Sequence, residues 1–244
     1  MSGTTEDALL DGRVRLIQPA EGYRVAIDPV LLAAAVAVQP GERVLDLGSG
    51  TGAAALCLAV REPACRISGL ERDLALVRLA QASAERTGVA GRVEFMVGDL
   101  AAPPPRLSPG SFHHVMANPP YLPPGVPASP QPGRAAAHVE SEAGLADWVR
   151  AALTMVRPKG TVTFIHRADR LDGLVAAFAD RAGEIVLFPL WPEAGRPAKR
   201  VLLRARKGVS SPARLAAGLT LHAPGGGFTE AAEAILRGGA GLIL

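Results

Sequence analysis

The chain has 244 residues, 26 Lys and Arg against 23 Asp and Glu for a formal charge of +3, 48% hydrophobic and 20% charged residues. That balance fits one globular α/β domain and excludes a disordered polyelectrolyte, while the mild basicity is compatible with RNA without demanding it. Two cysteines and five scattered histidines exclude a disulfide scaffold and predict no metal site.

The N-terminal stretch MSGTTEDALLDG carries acids where a signal peptide needs basic residues before an apolar block. Residues 30–38, the longest apolar run, fall short of the roughly 20 that span a bilayer. The expectation is a cytoplasmic protein with no membrane segment. Residues 1–40 read as an N-terminal extension and a helix. The extension holds a hairpin-like or irregular segment, RVRLIQPAEGYRVAI, and Asp28 then stands where an N-cap belongs. Pro29 follows at the first helical position, VLLAAAVAV continues the helix and Pro40-Gly41 stops it.

Strands and helices then alternate. RVLDLG (43–48) reads as a buried strand, 51–60 as a helix, RISGL (66–70) as a strand, 73–87 as a helix and RVEFMVG (92–98) as a strand. After a proline-rich loop come the strand FHHVMA (112–117), a helix over 140–156, the strand TVTFIH (161–166) and a helix over 170–181. EIVLFPL (184–190) and RVLLRARK (200–207) have no helix between them and are expected as antiparallel neighbours at one edge. The alternation predicts an α/β fold with a doubly wound, mostly parallel sheet over residues 41–209. Residues 210–244, with a helix over 230–237, are expected as a C-terminal flap on the same domain. The proline-rich stretch 121–134 is the long loop, a place where function or disorder concentrates.

VLDLGSGTG sets Gly48, Gly50 and Gly52 between a strand and a helix, where glycines let backbone approach a ligand. Gly48, Gly50 and Ala53 also satisfy the looser dinucleotide pattern, so a nicotinamide enzyme stays open at this point. Asp46, Glu71 and Asp99 stand at or near the C-terminal ends of three successive strands, the edge at which open α/β sheets bind ligands. VLDLGSGTG, GLERD and VGDL together resemble the S-adenosylmethionine site of Rossmann-like methyltransferases. The resemblance implies a seven-stranded sheet with an antiparallel last strand, Glu71 on the ribose, Asp99 near the adenine and Asp46 near the methionine amino group. Arg72 and Leu100 adjoin those positions.

NPPY (118–121) closes the fourth strand, and in that family the motif marks methylation of a planar nitrogen. An exocyclic amine is a poor nucleophile because its lone pair is delocalised into the ring. The Asn118 side-chain oxygen and the Pro119 carbonyl offer acceptors for its two hydrogens, proline locks the carbonyl's direction, and Tyr121 offers a stacking face. Pro120 completes the rigid turn. Catalysis would be positioning, with no shifted general base.

GYRVAIDPVLLAAAV, NPPY, LADWVRAALTMVRPKG and RPAKRVLLRARKG resemble the bacterial methyltransferases that modify adenine N6 at position 37 of valine tRNA. That resemblance implies tRNA as the partner, with Asp28 and Arg24 near the cofactor's methionine end or the target base. Substrate contacts are expected from Arg134, His138, Arg196, Lys199 and Arg200. Six basic residues between Arg196 and Lys207, with no acid among them, are either a phosphate-binding patch or an edge-strand guard against sheet pairing. The alternatives are a glutamine-amide methyltransferase acting on a release factor, another base-amine methyltransferase (guanine N2 or cytosine N4), and an RNA-binding module with a silent cofactor site. About 42 residues precede the glycine-loop strand, fewer than the helical domain expected of the glutamine enzymes.

Overall fold

The computed structural model describes residues 3–22, 24–120 and 143–244. The chain opens with a hairpin of β1 (Thr4–Leu9) and β2 (Val14–Pro19), turned through Leu10, Asp11 and Gly12 at positive φ. The period-2 pattern of β2 buries Val14, Leu16 and Gln18 on one face. Its unpaired edge lies along helix α3 (Leu74–Thr87), where Ile17 N donates to Ser83 Oγ at 2.8 Å and Arg15 N to Thr87 Oγ1 at 3.1 Å. Two helical hydroxyls thus satisfy strand donors that a sheet edge would leave open.

Helix α1 (Asp28–Ala34) is shorter than its apolar run predicts. The Arg61 side chain, at the end of α2 (Ala53–Arg61), donates to the carbonyls of Ala33 and Val36 and ends α1 there. Every α1 residue is buried, which is why its sequence shows no amphipathic stripe.

The central sheet contains β3 (Arg43–Leu47), β4 (Arg66–Glu71), β5 (Val93–Val97), β6 (Phe112–Ala117), β7 (Val156–Arg167), β8 (Ala182–Trp191) and β9 (Arg200–Lys207), in the order β8-β9-β7-β6-β3-β4-β5. All are parallel except β9, antiparallel to both neighbours. The expected doubly wound, mostly parallel sheet with an antiparallel last strand is present. One placement differs. β9 does not lie at the edge but between β7 and β8, and the open side of β8 is covered by two short parallel strands from the tail, β10 (Arg214–Leu215) and β11 (Leu219–Thr220).

Helix α4 (Leu145–Met155) starts later than expected because Gly144 is extended and its N–H is taken by Asp147 Oδ2 at 2.9 Å. It ends one residue early, and β7 begins with a bulge through Arg157–Gly160 before its ladder to β6 resumes at Thr161. Helix α5 (Leu171–Phe178) follows, and Phe178 meets Phe164 edge to face with centroids 5.7 Å apart. Apolar side chains fill both faces of the sheet, with α1, α2 and α3 over one and α4 and α5 over the other. Helix α6 (Glu230–Leu236) of the tail buries Ala232, Ile235 and Leu236 on the α1 side. No helix among the described residues is long and apolar enough to cross a membrane.

Candidate active site

The sheet order reverses between β3 and β6, and at such a switch point the loops diverge and leave a crevice. Leu47 is level with Ala117, so the glycine loop and Asn118 leave neighbouring strands side by side, about 4.8 Å apart in the ladder direction. A cleft of about 630 Å³ opens there. Its walls are the glycine loop, Glu71–Asp73, Gly98–Ala101, Asn118–Pro120, the hairpin's Gln18–Gly22 end and Trp148 of α4.

Gly48 N and Ser49 N both donate to the Leu70 carbonyl, at 2.8 and 3.0 Å, which ties the loop to β4. Gly48, Gly50 and Gly52 have φ of +74°, +54° and +86°, a region in which side chains other than glycine's are strained. Packing adds to this at two of them. A Cβ on Gly48 would lie 2.3 Å from the Trp148 ring and one on Gly52 2.6 Å from the Phe95 ring, while one on Gly50 would meet nothing within 4 Å. Gly50 thus sits in the cleft wall with open space beside it.

Asp46 is 2% exposed and its Oδ2 accepts from Ala55 N at 3.2 Å. Burial pushes its carboxyl up to about 7, and the nearby Glu71 charge adds to the rise. Glu71 Oε2 accepts from Gly50 N at 3.0 Å and Oε1 from Asp73 N at 2.9 Å. Each oxygen keeps acceptor capacity for a second donor. Asp99 Oδ1 accepts from Ala101 N at 2.8 Å in the turn that sets Leu100 in the cleft wall, and Arg72, just after the neighbouring strand β4, also lines the cleft. Ser49 Oγ and Thr51 Oγ1, both in the lining, are buried without a hydrogen-bond partner among the described residues, a cost of about 1–3 kcal/mol each that a polar ligand would relieve.

Asn118, Pro119 and Pro120 all line the cleft. Tyr121, Arg134 and His138 lie outside the described residues. Arg24 is held at the base of the hairpin, donating to Asp7 and to Thr5 Oγ1. The cap expected of Asp28 is not the contact seen: Ile27 is the N-cap, and Asp28 Oδ2 accepts from Arg200 Nε at 2.9 Å. Two residues assigned to the site by sequence are therefore paired with each other, joining α1 to β9.

The expected single basic patch is divided. Because β9 runs against its neighbours, Arg200 and the preceding Arg196 and Lys199 stand at the cleft end of the sheet. Arg206 and Lys207 are at the other end, about 20 Å away at some 3.3 Å per residue. Arg206 pairs with Glu184 at 3.0 Å. The edge-strand reading of this cluster lapses, since β9 is internal. At the cleft end His166 is buried, and burial with the charges of Arg170, Arg167 and Arg200 lowers its pKa to about 4.

Several cleft residues escaped sequence reasoning: Gln18, Ser49, Thr51, Trp148 and Arg150. Trp148 reads as ordinary core of an amphipathic helix. Only the missing side chain at Gly48, far upstream, makes room for its ring.

The Methyltransferase small domain family matches residues 25–126. A tRNA1(Val) (adenine(37)-N6)-methyltransferase from Actinobacillus succinogenes is 31% identical over 188 residues, covering 75% of this chain and 77% of that protein. This chain belongs to that methyltransferase family. It is an S-adenosylmethionine-dependent N-methyltransferase with the Rossmann-like fold. A release factor glutamine methyltransferase from Moorella thermoacetica is 33% identical over 136 residues, 52% of this chain and 46% of that protein. A crystal structure described as a predicted O-methyltransferase, Atu636 from Agrobacterium tumefaciens, superposes with a TM-score of 0.74 at 27% identity, covering 88% of this chain and 98% of that one. The residues of the cleft fit the methyltransferase cofactor. A buried carboxylate suits a cation, acceptors at Glu71 suit a diol, and two orphaned hydroxyls await polar partners.

Proposed function

We propose that this methyltransferase acts on the exocyclic N6 of an adenine in tRNA, at anticodon-loop position 37 of valine tRNA, in the cytoplasm. The observation that carries the reading is Asn118-Pro119-Pro120 emerging beside the glycine loop at the switch point, in one cleft. Bound S-adenosylmethionine supplies an electrophilic methyl group on a sulfonium. Asp46, Gly48, Gly50, Gly52, Glu71, Arg72, Asp99 and Leu100 would hold it, with Glu71 accepting from the ribose and Asp46 facing the methionine ammonium.

Asn118 Oδ1 and the Pro119 carbonyl would accept the two amine hydrogens and direct the nitrogen lone pair inward. Pro119 is buried and rigid, which would fix the direction of its carbonyl before substrate arrives. The amine sheds its proton after transfer, and no residue must act as base. The target base would have to leave its stack, which an RNA loop allows at small cost. Arg196 and Lys199, exposed at the cleft end, would meet nearby phosphates.

The glutamine-amide reading keeps the same acceptor chemistry, and the likeness to the release factor enzyme extends over less than half of that protein. The two readings separate in one experiment: labelled S-adenosylmethionine offered to unmodified tRNA and to total cell protein, followed by nucleoside mass spectrometry. N6-methyladenosine in the tRNA pool is the expected result. Label in protein alone would move the target to a glutamine amide.

A further inference from the structure

On the α4 side of the sheet, an open depression of about 650 Å³ adjoins the cleft. Arg150 lines both. The other cations of the depression are Arg181, just ahead of β8, and Lys207, the last residue of β9; its apolar floor includes Pro109, Leu153 and Pro158. The lining contains three cations and no carboxylate. Arg181 is exposed and has no ion-pair partner among the described residues. Lys207 Nζ donates to the Val156 carbonyl at 2.9 Å, leaving two of its three donors for other acceptors. Arg150 pairs with Asp147 on its own helix, an exposed contact worth little and easily exchanged.

We propose that this depression is a phosphate track for the RNA whose base enters the cleft, with Arg150, Arg181 and Lys207 neutralising the backbone. The inference rests on the RNA reading above and adds the path of the strand outside the active site. Charge and position argue for it together. From Trp148 in the cleft wall to Thr154 in the depression is about 9 Å along α4 at 1.5 Å per residue, and the track continues to Lys207, about 20 Å from the cleft end of β9 at some 3.3 Å per residue. Backbone recognition needs neighbouring cations able to reach phosphates and no base-specific geometry; Arg181 and Lys207 have no ion-pair partner among the described residues, and Arg150 would exchange its exposed pair with Asp147. The split of the 196–207 cluster gives Lys207 this separate role: antiparallel β9 carries it away from the cleft end to join Arg181.

The test uses the intact protein with Arg181→Gln and Lys207→Gln combined; glutamine retains a donor for the Val156 carbonyl, and Arg181→Gln alone gives up no described side-chain contact. Binding of unmodified tRNA is measured across a salt series, with methylation kinetics and cofactor affinity alongside. Each lost phosphate contact should flatten the logarithmic salt slope by about 0.7, so by about 1.4 for the double variant. KM for tRNA should rise roughly tenfold while kcat at saturation and cofactor affinity stay as in the wild type. A wild-type slope in both variants would overturn the track and leave the RNA reading standing. A wild-type protein that neither binds nor methylates tRNA would overturn both.

Discussion

At the scale of single residues, the proposed function makes Asn118 the acceptor for one of the amine's two hydrogens. On that proposal, Asn118→Ala removes one of two acceptors and leaves the glycine loop intact. Turnover should fall about 10²–10³-fold, the usual cost of one preorganised polar group, with cofactor affinity nearly unchanged by calorimetry. On the same proposal, Asp46 would govern the donor side through its proton. Its folded pKa of about 7 stands above the ordinary 3.8, so between those values the folded protein holds a proton that the unfolded chain has released. This group's stability contribution is complete below 3.8 and is lost as pH rises towards 7. Cofactor affinity runs the other way, because a cationic ligand needs the carboxylate. Affinity should weaken up to tenfold per unit as pH falls below about 7, and in Asp46→Asn it should be weak and flat with pH. Equal affinity at pH 6 and pH 8 in the wild type would remove Asp46 from the role. The glycines divide in a way that thermal unfolding can read. Gly50→Ala bears only the left-handed backbone cost, about 1–2 kcal/mol, whereas Gly48→Ala must also displace Trp148, adding about 1–3 kcal/mol. The Gly48 variant should therefore melt several degrees below the Gly50 variant.

At the scale of elements, the N-terminal hairpin forms one wall of the cleft, and it is held by hydroxyls of α3. Ser83 is fully buried and accepts from Ile17 N. Ser83→Ala orphans that donor at about 1–3 kcal/mol and loosens the segment that carries Gln18 and Pro19 into the wall. The melting temperature and the cofactor affinity should fall together. Arg86→Ala, which cuts only an exposed pair with Glu6, should change both little. The hairpin's hold on α3 was not legible in the sequence, since it depends on hydroxyls from a helix 66 positions away. The central strands β3 and β6 were legible because strands buried on both faces read as apolar runs, and the edge strand β5 because its buried and exposed positions alternate. The tail strands were not: β10 and β11 are two residues each and exist only because β8 offers an edge. Asp28 looked like a cap because capping is local chemistry, while its observed partner, Arg200, lies 172 positions on. The glycine loop and NPPY were readable for the opposite reason, each being a short segment whose residue types carry their own geometric demand.

At the scale of the whole molecule, residues 210–244 behave as part of the core. Leu219, Leu221, Ile235, Leu236 and Leu244 are all buried in the cluster beneath α1, and Ala232 with them. Leu242 N donates to Ala34 O at 2.8 Å, closing the free end of α1, and Arg13 donates to the Arg237 carbonyl at 2.9 Å, tying the hairpin turn to α6. Five Leu and Ile side chains at about 1.5–3 kcal/mol each represent some 7–15 kcal/mol of burial. That matches the entire net stability of a typical domain, about 5–15 kcal/mol. The loss falls on the face that supports α1, whose first turn is joined to β9 through Asp28 and Arg200. A chain ending at Val209 should therefore be insoluble or lack a cooperative melting transition. A mere appendage would come away cleanly, leaving a soluble protein with the wild-type melting temperature and intact cofactor affinity. Substituting Ile235→Ala gives a graded version of the same test. It should cost about 2–5 kcal/mol and lower the melting temperature, while kcat stays unchanged in the molecules that remain folded, because Ile235 is not among the residues that line the cleft.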